Sequence, residues 1–218
     1  MKTAELQKQL SGIGIVPVIN IEQASQALAL ADALLAGGIP LVEITFRTAV
    51  AAEVIRTLTR RRPNMIVGAG TVLTPENVKA ARKAGAQFAV APGLNPKIAK
   101  LATGLGLLFV PGVATPSEIE LALSMGYRLL KFFPAELLGG VEMLNGLFAP
   151  YAHTGVAFMP SGGVGPANLE SYLASKAVAA VGGTWLARKE DLAACKWEEI
   201  RKRCAAAMRT VRRIRGVR

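Results

Sequence analysis

The chain alternates short apolar runs with longer segments in which apolar residues recur at the spacing of an α-helix. The apolar runs have the length of strands, and glycine or proline closes most of them. Continuous apolar strands separated by helices predict a parallel sheet covered by helices on its outer face. The predicted strands are 13–19, 41–46, 65–67, 88–91, 107–110, 128–132, 156–159 and 178–181.

Eight strand–helix units without a break in composition predict an α/β fold, with residues 1–218 as a single domain. The repeated gap of about 20 residues between most strand ends favours a (β/α)8 TIM barrel, and a doubly wound open sheet is the alternative. Residues 3–10 predict a short helix before the first strand. Thr74 and Thr115, each followed by proline, predict helix starts. Because barrel enzymes place reactive groups at strand ends, these ends are where we expect chemistry.

Lys131 stands at the end of the sixth predicted strand, between Leu129-Leu130 and Phe132-Phe133. An ammonium group is costly to remove from water, so burial at this position favours the neutral amine. The neutral amine is the form that attacks a ketone to give a carbinolamine and then an imine. The pattern therefore predicts a catalytic lysine, and the alternative is a lysine that extends its amine into solvent.

Glu43 lies near the end of the second predicted strand. Side chains alternate between the two faces of a strand, so Glu43, Thr45 and Arg47 share one face. The opposite face is apolar and should pack against the helices, which turns Glu43 into the barrel. A carboxylate there can move protons during imine formation and cleavage. The alternative is a structural salt bridge between Glu43 and Arg47.

Paired glycines close the seventh and eighth predicted strands. In barrels, the loops after these strands and an adjoining helix start often form a phosphate site. We therefore expect an anion to bind between Gly162-Gly163 and Gly183-Thr184. The segment 68–70 lacks the third glycine and the acidic partner of a dinucleotide fingerprint, so a Rossmann site is not expected.

The composition, 51% hydrophobic and 19% charged, is that of a globular protein. No apolar run reaches the roughly 18 residues of a membrane span, and the first residues do not resemble a signal peptide. A cytoplasmic protein without membrane contact is expected. Cys195 and Cys204, predicted in one helix, are too far apart for a disulfide. With His153, which is expected at the surface, they do not form a metal site.

The charge is strongly basic, at +11, and residues 196–218 alone contain nine Lys or Arg and two acids. A helix over about 197–213 is predicted there. Its basic face is interpreted as solvated, and the alternative is nonspecific binding of nucleic acid or other polyanions. The residues predicted to form its inward apolar stripe are Ile200, Cys204, Ala207, Met208, Val211 and Ile214.

The segments around these candidate residues resemble those of the 2-keto-3-deoxy-6-phosphogluconate (KDPG) and 4-hydroxy-2-oxoglutarate (KHG) aldolases. The resemblance extends over nearly the whole chain, with the segments in the same order. The matching segments are 15–19, 42–48, 67–73, 85–88, 111–116, 130–136, 160–164 and 182–186.

This resemblance implies a class I lyase of carbohydrate metabolism that cleaves KDPG to pyruvate and glyceraldehyde 3-phosphate, as in the Entner–Doudoroff pathway. KHG, which gives pyruvate and glyoxylate, is implied as a second substrate. A homotrimer without metal or cofactor is implied as well. Lys131 matches the Schiff-base lysine, Glu43 the general acid/base, and Arg47 and Thr71 the carboxylate-binding residues. The resemblance assigns Phe133, Ser161 and Pro92 to the pocket, and Gly162, Gly163, Gly183 and Thr184 to the phosphate site.

Three features depart from the family pattern. Ser161 stands where threonine is usual, and Thr184 stands where serine is usual. Both hydroxyls are kept, so the exchange leaves substrate preference open. The basic last helix, with its alanine run at 205–207, is also unlike the family. An alternative function is therefore a surface-engineered member, a trimeric scaffold or cage subunit that binds polyanions.

Overall fold

The computed structural model describes residues 3–216, in which strands and helices alternate. The strands are β1 Ile15–Ile19, β2 Leu41–Thr45, β3 Ile66–Gly70, β4 Phe88–Val90, β5 Leu108–Val110, β6 Gly112–Val113, β7 Leu129–Phe132, β8 Ala157–Pro160 and β9 Val181–Gly183. The α-helices are α1 Thr3–Ile13, α2 Ala27–Ala36, α3 Ala51–Arg61, α4 Pro75–Ala84, α5 Pro96–Gly104, α6 Pro116–Ser124, α7 Gly140–Phe148, α8 Leu169–Ala174, α9 Lys189–Ala193 and α10 Trp197–Arg215. Single 3-10 turns cover Ala24–Gln26, Glu136–Leu138 and Ala149–Thr154.

The strands form a curled parallel sheet with the helices around it. Six strands pair in the order β5-β4-β3-β2-β1-β9, and three pair in the order β6-β7-β8. The first strand, β1, therefore lies beside the last strand, β9. Neighbours in the sheet are mostly neighbours in the chain, whereas a doubly wound sheet reverses its strand order at a switch point. The carboxyl ends of the strands consequently meet on one side of the molecule.

The helix starts predicted from Thr-Pro pairs are confirmed. The hydroxyl of Thr74 accepts a hydrogen bond from the N–H of Asn77 at 3.2 Å, at the start of α4. Thr115 and Glu118 form a reciprocal capping box at the start of α6. These starts anchor the chain as it leaves β3 and β6, so the strand ends are held in place by local hydrogen bonds.

The eighth predicted strand, 178–181, is wrong in its position. The strand is Val181–Gly183 and includes the glycines that were expected to follow it. The backbone carbonyls of Val178 and Ala179 instead accept hydrogen bonds from Arg215, at 3.0 and 2.6 Å. Arg215 lies at the end of α10, so its side chain connects the last helix to the segment that precedes β9. Burial lowers the pKa of the Arg215 guanidinium.

A 3-10 turn over Ala24–Gln26 precedes α2, which begins at Ala27. The prediction that one helix contains both cysteines needs correction. Cys195 is not in the same helix as Cys204, because it lies between α9 and α10 with a left-handed backbone at φ 50°. Both cysteines are free.

The predicted apolar stripe of the last helix is confirmed. Ile200, Cys204, Ala207, Met208 and Val211 are buried, and Ile214 is partly buried against the core. Burial raises the pKa of the Cys204 thiol to about 12, so this cysteine behaves as a small apolar side chain. Among residues 3–216, no helix combines the length and the apolar character that a membrane span requires.

Candidate active site

A cavity of about 400 Å³ opens at the carboxyl ends of the strands. The structure brings all the predicted site residues to its wall. They are Glu43, Arg47, Thr71, Pro92, Lys131, Phe133, Ser161, Gly162, Gly163, Gly183 and Thr184. Val18, Thr45, Val164 and Gly182 also line the cavity and were not predicted as site residues. Thr45 could have been found, because the strand period places it on the same face as Glu43.

Lys131 and Glu43 meet inside this cavity. Lys131 lies on β7 and is 7% exposed, and Glu43 lies on β2 and is fully buried. The Nζ atom of Lys131 is 3.7 Å from Oε1 of Glu43. Lys131 therefore does not extend into solvent, and the alternative predicted for a strand-end lysine is wrong.

The Glu43 carboxylate has no other polar partner in the part of the chain that the structure describes. Both of its oxygens are buried and accept no hydrogen bond from residues 3–216. The salt bridge to Arg47 is likewise not formed within this range, because Lys131 is the cation that faces Glu43. Buried polar groups without partners are rare in folded proteins and are often reserved for a ligand or a reaction. Glu43 thus keeps its hydrogen-bonding capacity free for a molecule in the cavity.

Two neighbouring elements hold this pair in position. Gly70, at the end of β3, pairs with Thr45 of β2, and its missing side chain leaves room for Glu43. A Cβ atom on Gly70 would overlap the Glu43 carboxylate. On the other side, the Phe133 ring centroid lies 5.3 Å from Nζ of Lys131, within range of a cation–π contact. The amine is thus confined between an aromatic ring and a carboxylate.

One side of the cavity is formed by residues that follow β2, β3 and β4. Arg47 is exposed at the rim, and Thr71 and Pro92 are partly buried. Thr71 has a left-handed backbone at φ 55°, which is strained for a β-branched residue. Such strain persists only where the surroundings enforce it and is concentrated at functional sites. The positive charge of Arg47 makes this side suited to an anionic group.

The glycine turn after β8 forms another side of the cavity. Gly162 and Gly163 have φ values of 93° and 84°, which glycine adopts without strain. The turn is tied to the segment after β7, because the carbonyl of Gly162 accepts a hydrogen bond from the N–H of Glu136 at 3.0 Å. The Ser161 hydroxyl is buried and has no hydrogen-bond partner within residues 3–216.

The helix starts expected beside these glycines lie elsewhere. α8 begins at Leu169 and α9 at Lys189, and both helices are short. Gly183 is part of β9 and not of a loop. An anion at these glycines would therefore meet backbone N–H groups and the hydroxyls of Ser161 and Thr184, without a helix dipole.

Other polar candidates lie away from this cavity. His153 is exposed in a 3-10 turn, as predicted. Within residues 3–216, no three His, Cys, Asp or Glu side chains are grouped so that they could hold a metal ion.

A family model described as "KDPG and KHG aldolase" matches residues 6–203. The chain belongs to the KDPG and KHG aldolase family. A 2-dehydro-3-deoxy-phosphogluconate aldolase of Haemophilus influenzae is 46% identical over 198 residues, which cover 91% of this chain and 92% of that protein. The resemblance seen in the sequence is therefore confirmed at the level of the family.

Solved structures of this aldolase family have the same architecture. A KDPG aldolase from Legionella pneumophila, with pyruvate captured as a covalent carbinolamine intermediate, matches with a TM-score of 0.88 and 37% identity, covering 92% of this chain and 97% of that one. A second, from Zymomonas mobilis with 3-phosphoglycerate, has a TM-score of 0.83 and 34% identity, covering 93% and 94%. The curled parallel sheet is thus the architecture of the aldolase family.

Proposed function

We propose that this chain is a Schiff-base aldolase that cleaves KDPG to pyruvate and glyceraldehyde 3-phosphate. The observation that carries the proposal is the Lys131 amine, buried in a cavity and 3.7 Å from the Glu43 carboxylate. A scaffold has no use for a buried amine facing a carboxylate with free hydrogen-bonding capacity. The scaffold alternative is therefore not favoured, and the named relatives are aldolases.

In the proposed reaction, neutral Lys131 attacks the C2 ketone of the substrate and forms a carbinolamine. Glu43 transfers the protons that allow this adduct to lose water and become an iminium ion. The iminium then accepts the electron pair of the C3–C4 bond as the C4 hydroxyl loses its proton. Glyceraldehyde 3-phosphate leaves, and an enamine remains on Lys131. Protonation at C3 and hydrolysis release pyruvate and return the free amine.

The two sides of the cavity are assigned to the two ends of the substrate. Arg47 and Thr71 lie where they can bind the carboxylate next to the reacting ketone. Gly162, Gly163, Gly183 and Thr184 also line the cavity and are assigned to the phosphate. The 3-phosphoglycerate in the Zymomonas mobilis structure supports a family site for phosphorylated acids. Phe133, Ser161 and Pro92 complete the pocket between these ends.

Pyruvate release tests the proposal directly. The protein is mixed with KDPG or with KHG, and pyruvate is followed with a coupled dehydrogenase. We expect turnover of KDPG, with slower turnover of KHG because KHG lacks the phosphate. The Lys131→Ala variant should release no pyruvate from either substrate. Absence of pyruvate with both substrates and the unaltered protein would overturn the assignment.

We further propose that residues 1–218 form one domain whose sheet closes into a (β/α)8 barrel, with α1 before it. Two contacts between β8 and the β9 segment support closure, Ser161 with Gly182 and Phe158 with Val178. On the opposite side, only Pro111 separates β5 from β6. In a hydrogen–deuterium exchange experiment, the backbone N–H groups of β9 and β1 should be equally protected. Rapid exchange along one edge of β9 would indicate an open sheet.

A homotrimer is proposed from the family resemblance. Three chains of 22.9 kDa would give a particle of about 69 kDa. Light scattering distinguishes this mass from a monomer and from a larger cage. The cytoplasmic location expected from the sequence stays a prediction.

A second property, polyanion binding, is proposed for the outer face of α10. Arg201, Lys202 and Arg209 line a shallow surface groove there, and Lys202 and Arg209 are exposed. A dense group of cations attracts polyanions without selecting their sequence. This surface would accompany catalysis and not replace it.

A further inference from the structure

Arg203 differs from the exposed basic residues of α10, such as Lys202 and Arg209. Its side chain is 26% exposed and turns toward the protein. One guanidinium nitrogen donates hydrogen bonds to the carbonyls of Trp185 and Leu186, at 2.9 and 3.4 Å. The same nitrogen lies 2.6 Å from a carboxylate oxygen of Asp191. Arg203 therefore connects the last helix to the segment that directly follows β9.

Asp191 makes this connection rigid. The residue is 8% exposed, and the carboxylate oxygen that faces Arg203 also accepts a hydrogen bond from the N–H of Arg188, at 3.2 Å. Its backbone carbonyl accepts a hydrogen bond from Lys196 N–H at 2.8 Å. A partly buried ion pair with these further bonds has little freedom to move, unlike an exposed pair.

Trp185 lies between Arg203 and the cavity. Its side chain is almost fully buried, and its ring lies directly against Gly183. A Cβ atom on Gly183 would overlap the Trp185 ring. Gly183 and Thr184 line the cavity on the side assigned to the phosphate. The position of Trp185 therefore sets the position of the backbone that would face the phosphate.

We propose that Arg203 is a positioning residue, which holds the Trp185–Leu186 backbone so that Gly183 and Thr184 can bind the substrate phosphate. The proposal rests on the proposed function and adds a determinant of substrate preference outside the cavity. The link to the phosphate is indirect, because Arg203 is not among the residues that line the cavity. Lys131 and Glu43 lie on β7 and β2, so the covalent chemistry should not depend on Arg203.

The test compares Arg203→Lys with Arg209→Lys, a matched exchange at an exposed position of the same helix. Lysine keeps a cation for Asp191, but its shorter side chain ends before the position of the terminal guanidinium nitrogen that makes all three contacts. For Arg203→Lys we expect kcat/KM on KDPG to fall roughly tenfold, mainly through a higher KM. On KHG, which has no phosphate, kcat/KM should change less than about twofold. Arg209→Lys should behave as the unaltered protein on both substrates.

Two further measurements separate positioning from general destabilisation. Calorimetric titration with inorganic phosphate should show roughly tenfold weaker binding for Arg203→Lys, and this readout needs no turnover. Reductive trapping of pyruvate on Lys131 should proceed as in the unaltered protein. Equal losses on KDPG and KHG, or unchanged phosphate binding, would overturn the proposal. Absence of pyruvate release by the unaltered protein would instead contradict the proposed function, and the phosphate titration would still test Arg203.

Discussion

The Lys131 amine on β7 and the Glu43 carboxylate on β2 come within 3.7 Å of each other, although the two strands belong to separately paired groups of the curled sheet. The contact is longer than a direct hydrogen bond, and the Glu43 carboxylate oxygens accept no hydrogen bond from residues 3–216. A substrate oxygen or a water between the two groups would therefore find both a nucleophile and a proton carrier. This relationship leads to the first two predictions.

Borohydride reduction in the presence of pyruvate should attach a pyruvyl group to Lys131. Only a neutral amine in contact with the ketone forms the imine that borohydride reduces. Peptide mass spectrometry should locate the label at Lys131, with no comparable label at the surface residue Lys176. Lys131→Arg is the control, since a guanidinium does not form the imine. A label at another lysine would contradict the assignment.

Glu43→Gln should lower kcat by roughly 10²- to 10⁴-fold, because glutamine cannot transfer the protons of imine formation. The variant should fold normally, since the carboxylate oxygens accept no hydrogen bond within residues 3–216 that the exchange could remove. Pyruvate release and thermal unfolding measure the two effects. Glu53→Gln, at an exposed position of α3, should leave both unchanged. Full activity of Glu43→Gln would assign proton transfer to another group.

Gly70→Ala should reduce activity about 100-fold although neither catalytic residue is replaced. The added Cβ atom would occupy the space of the Glu43 carboxylate and force that side chain away from Lys131. Gly104→Ala is the matched control, because a Cβ atom there meets nothing within 4 Å. Steady-state pyruvate release measures both variants. If Gly70→Ala were as active as Gly104→Ala, the position of Glu43 would not matter for turnover.

The Asp191–Arg203 pair should make stability depend on pH in the acid range. The hydrogen bond from Arg203 holds the pKa of the Asp191 carboxyl below its usual value, although burial acts in the opposite direction. The pair's contribution is therefore complete above the unfolded-state pKa of about 4 and is lost as the pH falls through the lower folded-state pKa. Urea unfolding from about pH 3 to pH 7 should show Asp191→Asn less stable by about 2 kcal/mol near neutrality, with the difference shrinking in acid.

Asp32→Asn provides the comparison for this measurement. Asp32 also has its pKa lowered by a hydrogen bond from Arg62, but its side chain is 57% exposed. Because solvent screens such a pair, the effect of Asp32→Asn should stay within about 1 kcal/mol. Equal effects of the two exchanges would mean that burial of Asp191 adds nothing.

The basic face of α10 should bind a labelled oligonucleotide without sequence preference, and the affinity should fall steeply as salt rises. Replacing Arg209 and Arg212 by glutamate should reduce the slope of log affinity against log salt by about two. The same exchange at Arg60 and Arg61, on α3, is the control for total charge. If binding is absent or independent of salt, this face is an ordinary solvated surface. Aldolase turnover should be the same in the unaltered protein and in both double variants.

Local patterns were sufficient to predict much of the molecule. The Thr-Pro pairs marked the starts of α4 and α6, because a hydroxyl cap and a proline act within one turn of helix. The stripe of α10 was predictable because burial of one helix face follows the 3.6-residue period. Lys131 stood out because a charged residue within an apolar strand is costly to bury without a purpose.

Other features were decided only by tertiary contacts. The partner of Glu43 is Lys131 and not Arg47, since curling of the sheet brings β7 and β2 to one cavity. The last strand begins at Val181, and Arg215 binds the preceding carbonyls from the end of α10, a contact that no local pattern predicts.

Arg203 belongs to this second group of features. By sequence alone it is one cation in a basic helix, yet it turns inward to Asp191 and Trp185. The sequence therefore determined the order of the helices and strands and the position of Lys131 within an apolar strand, since local spacing encodes both. The tertiary structure decided which charged groups meet, because that depends on contacts between residues far apart in the chain.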